Sequence, residues 1–155
     1  MTDSWLRIFL VRHGHVAYFD ENNKPINPKY AQLSPQGIEQ ISLLAECLKD
    51  ISFESVYSST MPRSIQTAEI LTQYQPSKKV LAVDAIREIK SGRLKDLPND
   101  QSETALKEAY LLQTNQLENF IQGESWKEFS HRVIDWFEQT ILSKPSRQNI
   151  LISSH

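Results

Sequence analysis

Four short apolar segments occur along the chain, and segments with helical patterns separate them. The four are Trp5–Arg12, Phe53–Ser58, Lys79–Val83 and Asn149–Ser154. The first is nearly continuous in apolar character, as expected for a buried parallel strand. A further stretch, Ser102–Ile121, is helical by composition. Strands that alternate with helices predict an α/β fold, here a three-layer α/β/α arrangement around a mainly parallel sheet.

Two helix starts carry clear capping signals. Ser34 can cap the first predicted helix and Pro35 suits its first position. Ser125 and Glu128 form a capping box, in which each side chain bonds the other residue's backbone N–H. Pro62 opens another helix. The first helix is predicted to turn one apolar stripe inward: Ile38, Ile41, Leu44, Ala45 and Leu48.

Length, charge and cysteine content exclude several classes of protein. The chain has 155 residues, which predicts a single domain over residues 1–155. Seventeen basic and nineteen acidic residues give a formal charge of -2, which argues against a nucleic-acid partner held by bulk charge. The only cysteine, Cys47, excludes an internal disulfide. No apolar run approaches the roughly 18 residues that span a bilayer, so we expect a cytoplasmic protein without a membrane partner.

Residues able to carry chemistry follow the predicted strands. Arg12, His13 and Gly14 come directly after the first strand, and His155 follows the last. Because ligands of open parallel sheets bind at the carboxyl ends of the strands, these side chains are expected to meet. Arginine suits fork-shaped recognition of phosphate, and histidine can act as nucleophile, base or metal ligand.

Two further candidates lie after the second and third strands. Arg63 falls in the first turn of a predicted helix, where the dipole already favours an anion, so an anionic partner would explain a cation there. Glu88 follows the third strand and is a candidate proton donor, although a surface glutamate paired with Arg87 or Lys90 is the alternative.

Taken together and in order, these motifs resemble the histidine phosphatase superfamily, whose fold is that of phosphoglycerate mutase. The resemblance rests on RHG, LSxxG, SSxxxRxxxTA, IREIxxG, GES and SSH, which begin at Arg12, Leu33, Ser58, Ile86, Gly123 and Ser153. The sequence departs from the family pattern at Phe19, which stands in place of an asparagine that touches substrate in the family.

The resemblance implies a role for each candidate. His13 would be the nucleophile that takes the phosphoryl group, and Glu88 would protonate the leaving oxygen and then activate water. Arg12, Arg63 and His155 would bind the phosphoryl oxygens, with His155 also counted as catalytic. Neither a metal nor a cofactor is implied. The motif positions expected near the substrate are Gly14, Ser34 and Gly37.

The leading hypothesis is a phosphomonoester hydrolase acting on a small phosphorylated metabolite. Three alternatives remain open: a phosphoglycerate mutase, a catalytically weak phosphate-binding module of the same fold, and a metal-dependent hydrolase using His13, His15 and His155. The resemblance also implies further chain after His155, so we expect a C-terminally truncated domain of weak activity, with a homodimer as one way to cover the exposed sheet.

Overall fold

The computed structural model describes residues 5–22, 26–90, 101, 104, 123–145 and 147–155. The helix predicted over Ser102–Ile121 lies almost entirely outside the described residues. The chain divides into two compact units, Met1–Arg87 with Lys144–His155, and Glu88–Ser143. The single domain over residues 1–155 stays a prediction.

The first unit is built on a parallel sheet of four strands, which confirms the predicted α/β fold. The strands are β1 (Leu6–Arg12), β2 (Ser55–Ser59), β3 (Val80–Val83) and β4 (Gln148–Ser154). They are ordered β1-β4-β2-β3, and every neighbouring pair is parallel. Arg12 pairs with Ser154, Ser58 with Ser153 and Ser59 with Val83, so all four strands end together at one edge of the sheet.

The interior position expected for the first strand belongs instead to β4. Within the described sheet β1 has a neighbour on one side only, and Leu10 is 73% exposed. β4 lies between β1 and β2, and Ile150, Leu151 and Ile152 are buried. The prediction that β1 is buried is therefore wrong. A continuous apolar run indicates that a strand has few polar side chains, but it does not indicate whether the strand lies in the interior of the sheet.

The second strand begins two residues later than its apolar pattern suggests. Phe53 is fully buried in the core, yet its backbone N–H donates to the side-chain oxygen of Gln75 at 3.0 Å instead of a strand partner. The ladder starts at Ser55. Apolar character at this point marks packing and not strand pairing.

Two helices of the first unit contribute to its hydrophobic core. Helix α1 (Pro35–Leu48) starts as predicted, with the Ser34 hydroxyl accepting the N–H of Gly37 at 3.1 Å. Ile41 and Ala45 of α1 are buried, whereas Ile38 is 46% exposed, so its predicted inward orientation is wrong. The stripe begins one turn later than the sequence suggests. Helix α2 (Pro62–Leu71) buries a face that is partly polar: Arg63, Ser64, Thr67, Ala68 and Leu71.

The second unit includes helix α3 (Trp126–Trp136), which continues into a π-helical turn, Phe137–Ile141. The predicted capping box is present. The Glu128 N–H donates to the Ser125 hydroxyl at 3.2 Å, and the Glu128 carboxylate accepts the Ser125 N–H at 2.9 Å. No helix among the residues described is both long and apolar enough to cross a bilayer.

Candidate active site

Three predicted site residues meet at the carboxyl edge of the sheet. His13 follows β1, Arg63 lies in the first turn of α2 directly after β2, and His155 follows β4. Arg63 is fully buried and its guanidinium contacts both imidazoles. The structure therefore brings together residues that are up to 142 positions apart, from His13 to His155.

Arg63 makes three described hydrogen bonds, each from a different nitrogen. Nε donates to His13 Nε2 at 3.2 Å, Nη1 to the carbonyl of Pro28 at 2.8 Å, and Nη2 to His155 Nδ1 at 3.3 Å. These three acceptors are uncharged, and they hold the guanidinium in place. The positive end of the α2 helix dipole adds to the positive potential of the Arg63 guanidinium, so an anion is favoured here.

The proton on the His13 ring is fixed by a neighbouring carbonyl. His13 Nδ1 lies 2.8 Å from the Gly14 carbonyl oxygen, which can only accept, so Nδ1 carries the proton. Nε2 is then the unprotonated nitrogen, and it receives the Arg63 N–H. The backbone N–H of His13 donates to the Ser154 carbonyl at 3.0 Å, which ties this residue to the end of β4. The nucleophilic lone pair of His13 is therefore on Nε2, where it accepts the Arg63 N–H in this structure, and attack on phosphorus requires that hydrogen bond to be released.

His155 is held as a neutral imidazole of the opposite tautomer. Its Nδ1 accepts from Arg63, so Nε2 carries the proton and donates to the Ser59 hydroxyl at 2.7 Å. Burial, followed by the nearby positive charges with Arg63 foremost, lowers the pKa of His155 to about 3. The two imidazole centroids are 5.2 Å apart. His155 is thus a hydrogen-bonding group whose proton affinity an anion would raise.

Two more arginines add positive charge at this edge. Arg12, the last residue of β1, is exposed, and its charge contributes to the low pKa of His155. Arg87 contributes more strongly to the same shift and forms an ion pair with Asp84 at 3.0 Å. Sequence reasoning considered Arg87 only as a surface partner of Glu88. The sequence signal for a site role of Arg87 was its position shortly after the third predicted strand.

Ser59, Pro28 and Thr67 also support the site and were not singled out from the sequence. Ser59 accepts from His155, and the Pro28 carbonyl accepts from Arg63. The Thr67 hydroxyl receives the Gly14 N–H at 3.3 Å and donates to the Arg63 carbonyl at 2.8 Å. Ser59 and Thr67 occupy fixed positions of the SSxxxRxxxTA motif, so the motif contained a signal for them. Pro28 lies in a loop with no motif.

The motif positions expected near the substrate have packing roles in this structure. A Cβ on Gly14 would lie 2.7 Å from the Gly37 carbonyl oxygen, and one on Gly37 would lie 2.9 Å from the His15 backbone nitrogen. Two glycines therefore let the loop after β1 approach α1 closely. The Ser34 hydroxyl caps α1 and lies 2.7 Å from His15 Nδ1. Contact with substrate stays a prediction for all three.

Glu88 belongs to the second unit and is exposed. Its backbone carbonyl accepts a hydrogen bond from Arg132 Nη2 at 3.2 Å. The structure brings His13, Arg63 and His155 together, while Glu88 is placed only within its own unit.

The sequence pattern of the histidine phosphatase superfamily (branch 1) matches residues 8–155. The chain belongs to this superfamily. The resemblance drawn from the motifs is therefore confirmed, and so is the phosphoglycerate mutase-like fold.

Solved structures of the superfamily are similar over nearly the whole chain. The alpha-ribazole phosphatase from Shigella flexneri aligns with a TM-score of 0.73 and 26% identity, over 96% of this chain and 73% of that one. Phosphoglycerate mutase from Bacillus anthracis aligns with a TM-score of 0.74 and 25% identity, over 99% of this chain and 77% of that one.

Two curated relatives are considerably longer than this chain. A probable 2-carboxy-D-arabinitol-1-phosphatase of Arabidopsis thaliana is 28% identical over 115 residues, which are 74% of this chain and 24% of that protein. A probable phosphatase of Schizosaccharomyces pombe is 22% identical over 149 residues, which are 95% of this chain and 66% of that protein. The chain thus spans between about a quarter and two thirds of the length of these two relatives.

Proposed function

We propose that this protein is a metal-independent phosphatase that hydrolyses a small phosphate monoester through a phosphohistidine on His13. The observation that carries the proposal is the arrangement around Arg63. Its buried guanidinium bonds an unprotonated nitrogen of His13 on one side and the neutral ring of His155 on the other. A nucleophile and two hydrogen-bonding groups for an anion thus converge on one place, as phosphoryl transfer requires.

In the first step, the Arg63 Nε–H turns from His13 Nε2 to a phosphoryl oxygen, and the freed Nε2 lone pair attacks phosphorus, forming the N–P bond while the bond to the leaving oxygen breaks. Arg12, Arg63 and His155 bind the phosphoryl oxygens and stabilise the charge that develops on them. Glu88 gives its proton to the leaving oxygen, which departs as an alcohol. In the second step, water attacks phosphorus, Glu88 takes the water proton, and the N–P bond breaks to release inorganic phosphate and neutral His13.

A phosphoglycerate mutase is the second candidate, because the Bacillus anthracis mutase aligns over 99% of this chain. The two reactions differ in what receives the phosphoryl group from His13. A phosphatase passes it to water and a mutase returns it to a phosphoglycerate. Measuring inorganic phosphate and isomerised phosphoglycerate from the same incubation separates the two candidates.

The proposal is tested by trapping the intermediate. The protein is mixed with a radiolabelled phosphate ester, quenched rapidly, and the label located by peptide mapping. A phosphohistidine is stable in base and labile in acid, so label should survive base on the peptide that contains His13. His13→Ala should remove the label and lower turnover by several orders of magnitude, while His131→Ala, at an exposed histidine of α3, should do neither. Turnover should persist in EDTA. Label on a serine, or full turnover by His13→Ala, would refute the proposal.

A further inference from the structure

The segment Glu88–Lys90 has no regular backbone structure of its own. It follows a 3-10 turn, Asp84–Ile86, and belongs to neither a helix nor a strand. Glu88 and Lys90 are exposed, and only Ile89 between them is buried. An irregular segment loses conformational entropy when it is held in one geometry. A group that must deliver a proton to a defined atom therefore needs external contacts to hold its backbone.

Contacts of this kind come from two side chains near the start of α3. The Lys90 N–H donates to Glu124 Oε2 at 3.2 Å, and the Glu124 N–H donates back to the Lys90 carbonyl at 2.8 Å. Arg132 Nη2 donates to the Glu88 carbonyl at 3.2 Å. Backbone groups at both ends of the segment are thus bonded by one acidic and one basic residue.

These two side chains also bind each other in a rigid geometry. Arg132 Nε lies 2.5 Å from Glu124 Oε1, and Arg132 Nη2 lies 2.7 Å from Glu124 Oε2. The side chains are only 19% and 8% exposed, respectively. A two-pronged pair of an arginine and a carboxylate is directional as well as strong. Arg132 lowers the pKa of Glu124, so the carboxylate stays charged at neutral pH.

The pair is anchored to a well-formed helix start. Glu124 directly precedes Ser125, the cap of α3, whose capping box with Glu128 fixes the backbone at that point. Arg132 lies two turns further along α3, with its guanidinium 4.9 Å from the ring of Phe129. Helix α3 thus supplies a rigid base for the contacts to Glu88–Lys90.

We propose that Glu124 and Arg132 are positioning residues that hold the backbone of Glu88 in the geometry its proton transfer needs. The proposal rests on the acid role of Glu88 in the proposed function. It gives a role to the GES motif, which contains Glu124 and which the phosphoryl chemistry itself does not use. The two residues act through the Glu88 backbone and not on the substrate.

The test uses the dependence of rate on the leaving group. An alkyl phosphate needs a proton on its departing oxygen, whereas nitrophenyl phosphate departs readily without one. Glu124→Gln puts an amide N–H opposite the donors of Arg132, and Arg132→Lys removes the fork while keeping the charge. Both should lower kcat/KM for the alkyl ester at least about tenfold more than for the nitrophenyl ester, since general acids contribute about 100- to 10,000-fold. Glu88→Gln should give the same preference, only larger.

Glu128→Gln is the matched control, because the described hydrogen bonds of the Glu128 carboxylate go to Ser125 at the same helix start and not to the backbone of Glu88–Lys90. It should leave the ratio of the two rates unchanged, even if unfolding by urea shows a loss of stability. If Glu88→Gln shows the leaving-group preference while Glu124→Gln and Arg132→Lys lower both rates equally, the positioning role is refuted and the proposed function stands. If Glu88→Gln shows no preference, the acid role itself fails. Arg132→Lys decides the case if Glu124→Gln does not fold.

Discussion

Replacing Gly37 by alanine separates packing from the intrinsic preferences of a helix. Gly37 is the third residue of α1, and at such a position alanine is normally favoured over glycine by about 1 kcal/mol. Here the added Cβ would lie 2.9 Å from the His15 nitrogen and 3.0 Å from the His15 carbonyl carbon, and closer still to its oxygen. These are backbone atoms that cannot rotate away, so either α1 or the loop after β1 must move.

The size of the effect follows from these distances. Carbon contacts are optimal at about 3.5–4.0 Å, and the His15 carbonyl oxygen is the nearest atom, so a shift of roughly one ångström or more is needed. Overpacking of this kind lowers the free energy of unfolding by about 1–3 kcal/mol, and the helix propensity of alanine offsets about 1 kcal/mol of this loss. We therefore expect a net loss of about 0–2 kcal/mol, or a Tm lower by up to about 8 °C. The same loop carries His13, and a displacement of about 1 Å can lower kcat about 100-fold.

The assay compares thermal unfolding with turnover of nitrophenyl phosphate, and Gln36→Ala is the control. Gln36 is exposed and adjacent in the same helix, so its substitution should change neither quantity. A Gly37→Ala protein with a raised Tm and the original kcat would refute the packing argument. A raised KM with unchanged kcat and Tm would instead indicate that Gly37 contacts substrate, as the family resemblance implied.

Two further predictions concern His155. Ser59→Ala removes the acceptor that lies 2.7 Å from His155 Nε2. Since such a hydrogen bond is worth about 1–1.5 kcal/mol, kcat should fall about tenfold. The control is Thr72→Ala, which removes a buried hydroxyl bonded to the carbonyl of Ala68 and should leave kcat unchanged. The second prediction concerns pH, because the pKa of His155 is about 3 in the folded protein and ordinarily 6.5. Between these two pH values the unfolded chain binds one proton more than the folded protein. The free energy of unfolding should therefore decrease as the pH falls from about 6.5 towards 3. Urea unfolding at a series of pH values measures this slope, which His155→Gln should reduce; an unchanged slope would refute the neutral buried imidazole.

Local sequence patterns predicted much of the fold because their causes are local. Ser34 and Ser125 cap helices through bonds to residues three positions away, and that spacing is visible in the sequence. The order of strands and helices along the chain follows from the same kind of pattern. The motifs at the strand ends then predicted that His13, Arg63 and His155 meet, because a parallel sheet aligns its carboxyl ends.

What the sequence could not predict depends on contacts between distant segments. Leu10 and Ile38 have apolar side chains in the expected periodicity, yet both are exposed, because burial is decided by which element packs there. The Pro28 carbonyl bonds Arg63 from 35 positions away, and Ser59 bonds His155 across 96 positions. No spacing rule connects such pairs.

The hydrogen bonds around Arg63 also bear on the metal-dependent alternative. A metal bound by these histidines would need lone pairs on their ring nitrogens. The available lone pairs, on His13 Nε2 and His155 Nδ1, both accept N–H groups of the Arg63 guanidinium. His15 Nδ1 lies 2.7 Å from the Ser34 hydroxyl. A cation at this place would have to displace a buried arginine and bear its repulsion, whereas an anion gains from the arginine and from each imidazole that becomes protonated beside it. The same atoms therefore disfavour a metal ion and favour a phosphoryl group, by the sign of one buried charge.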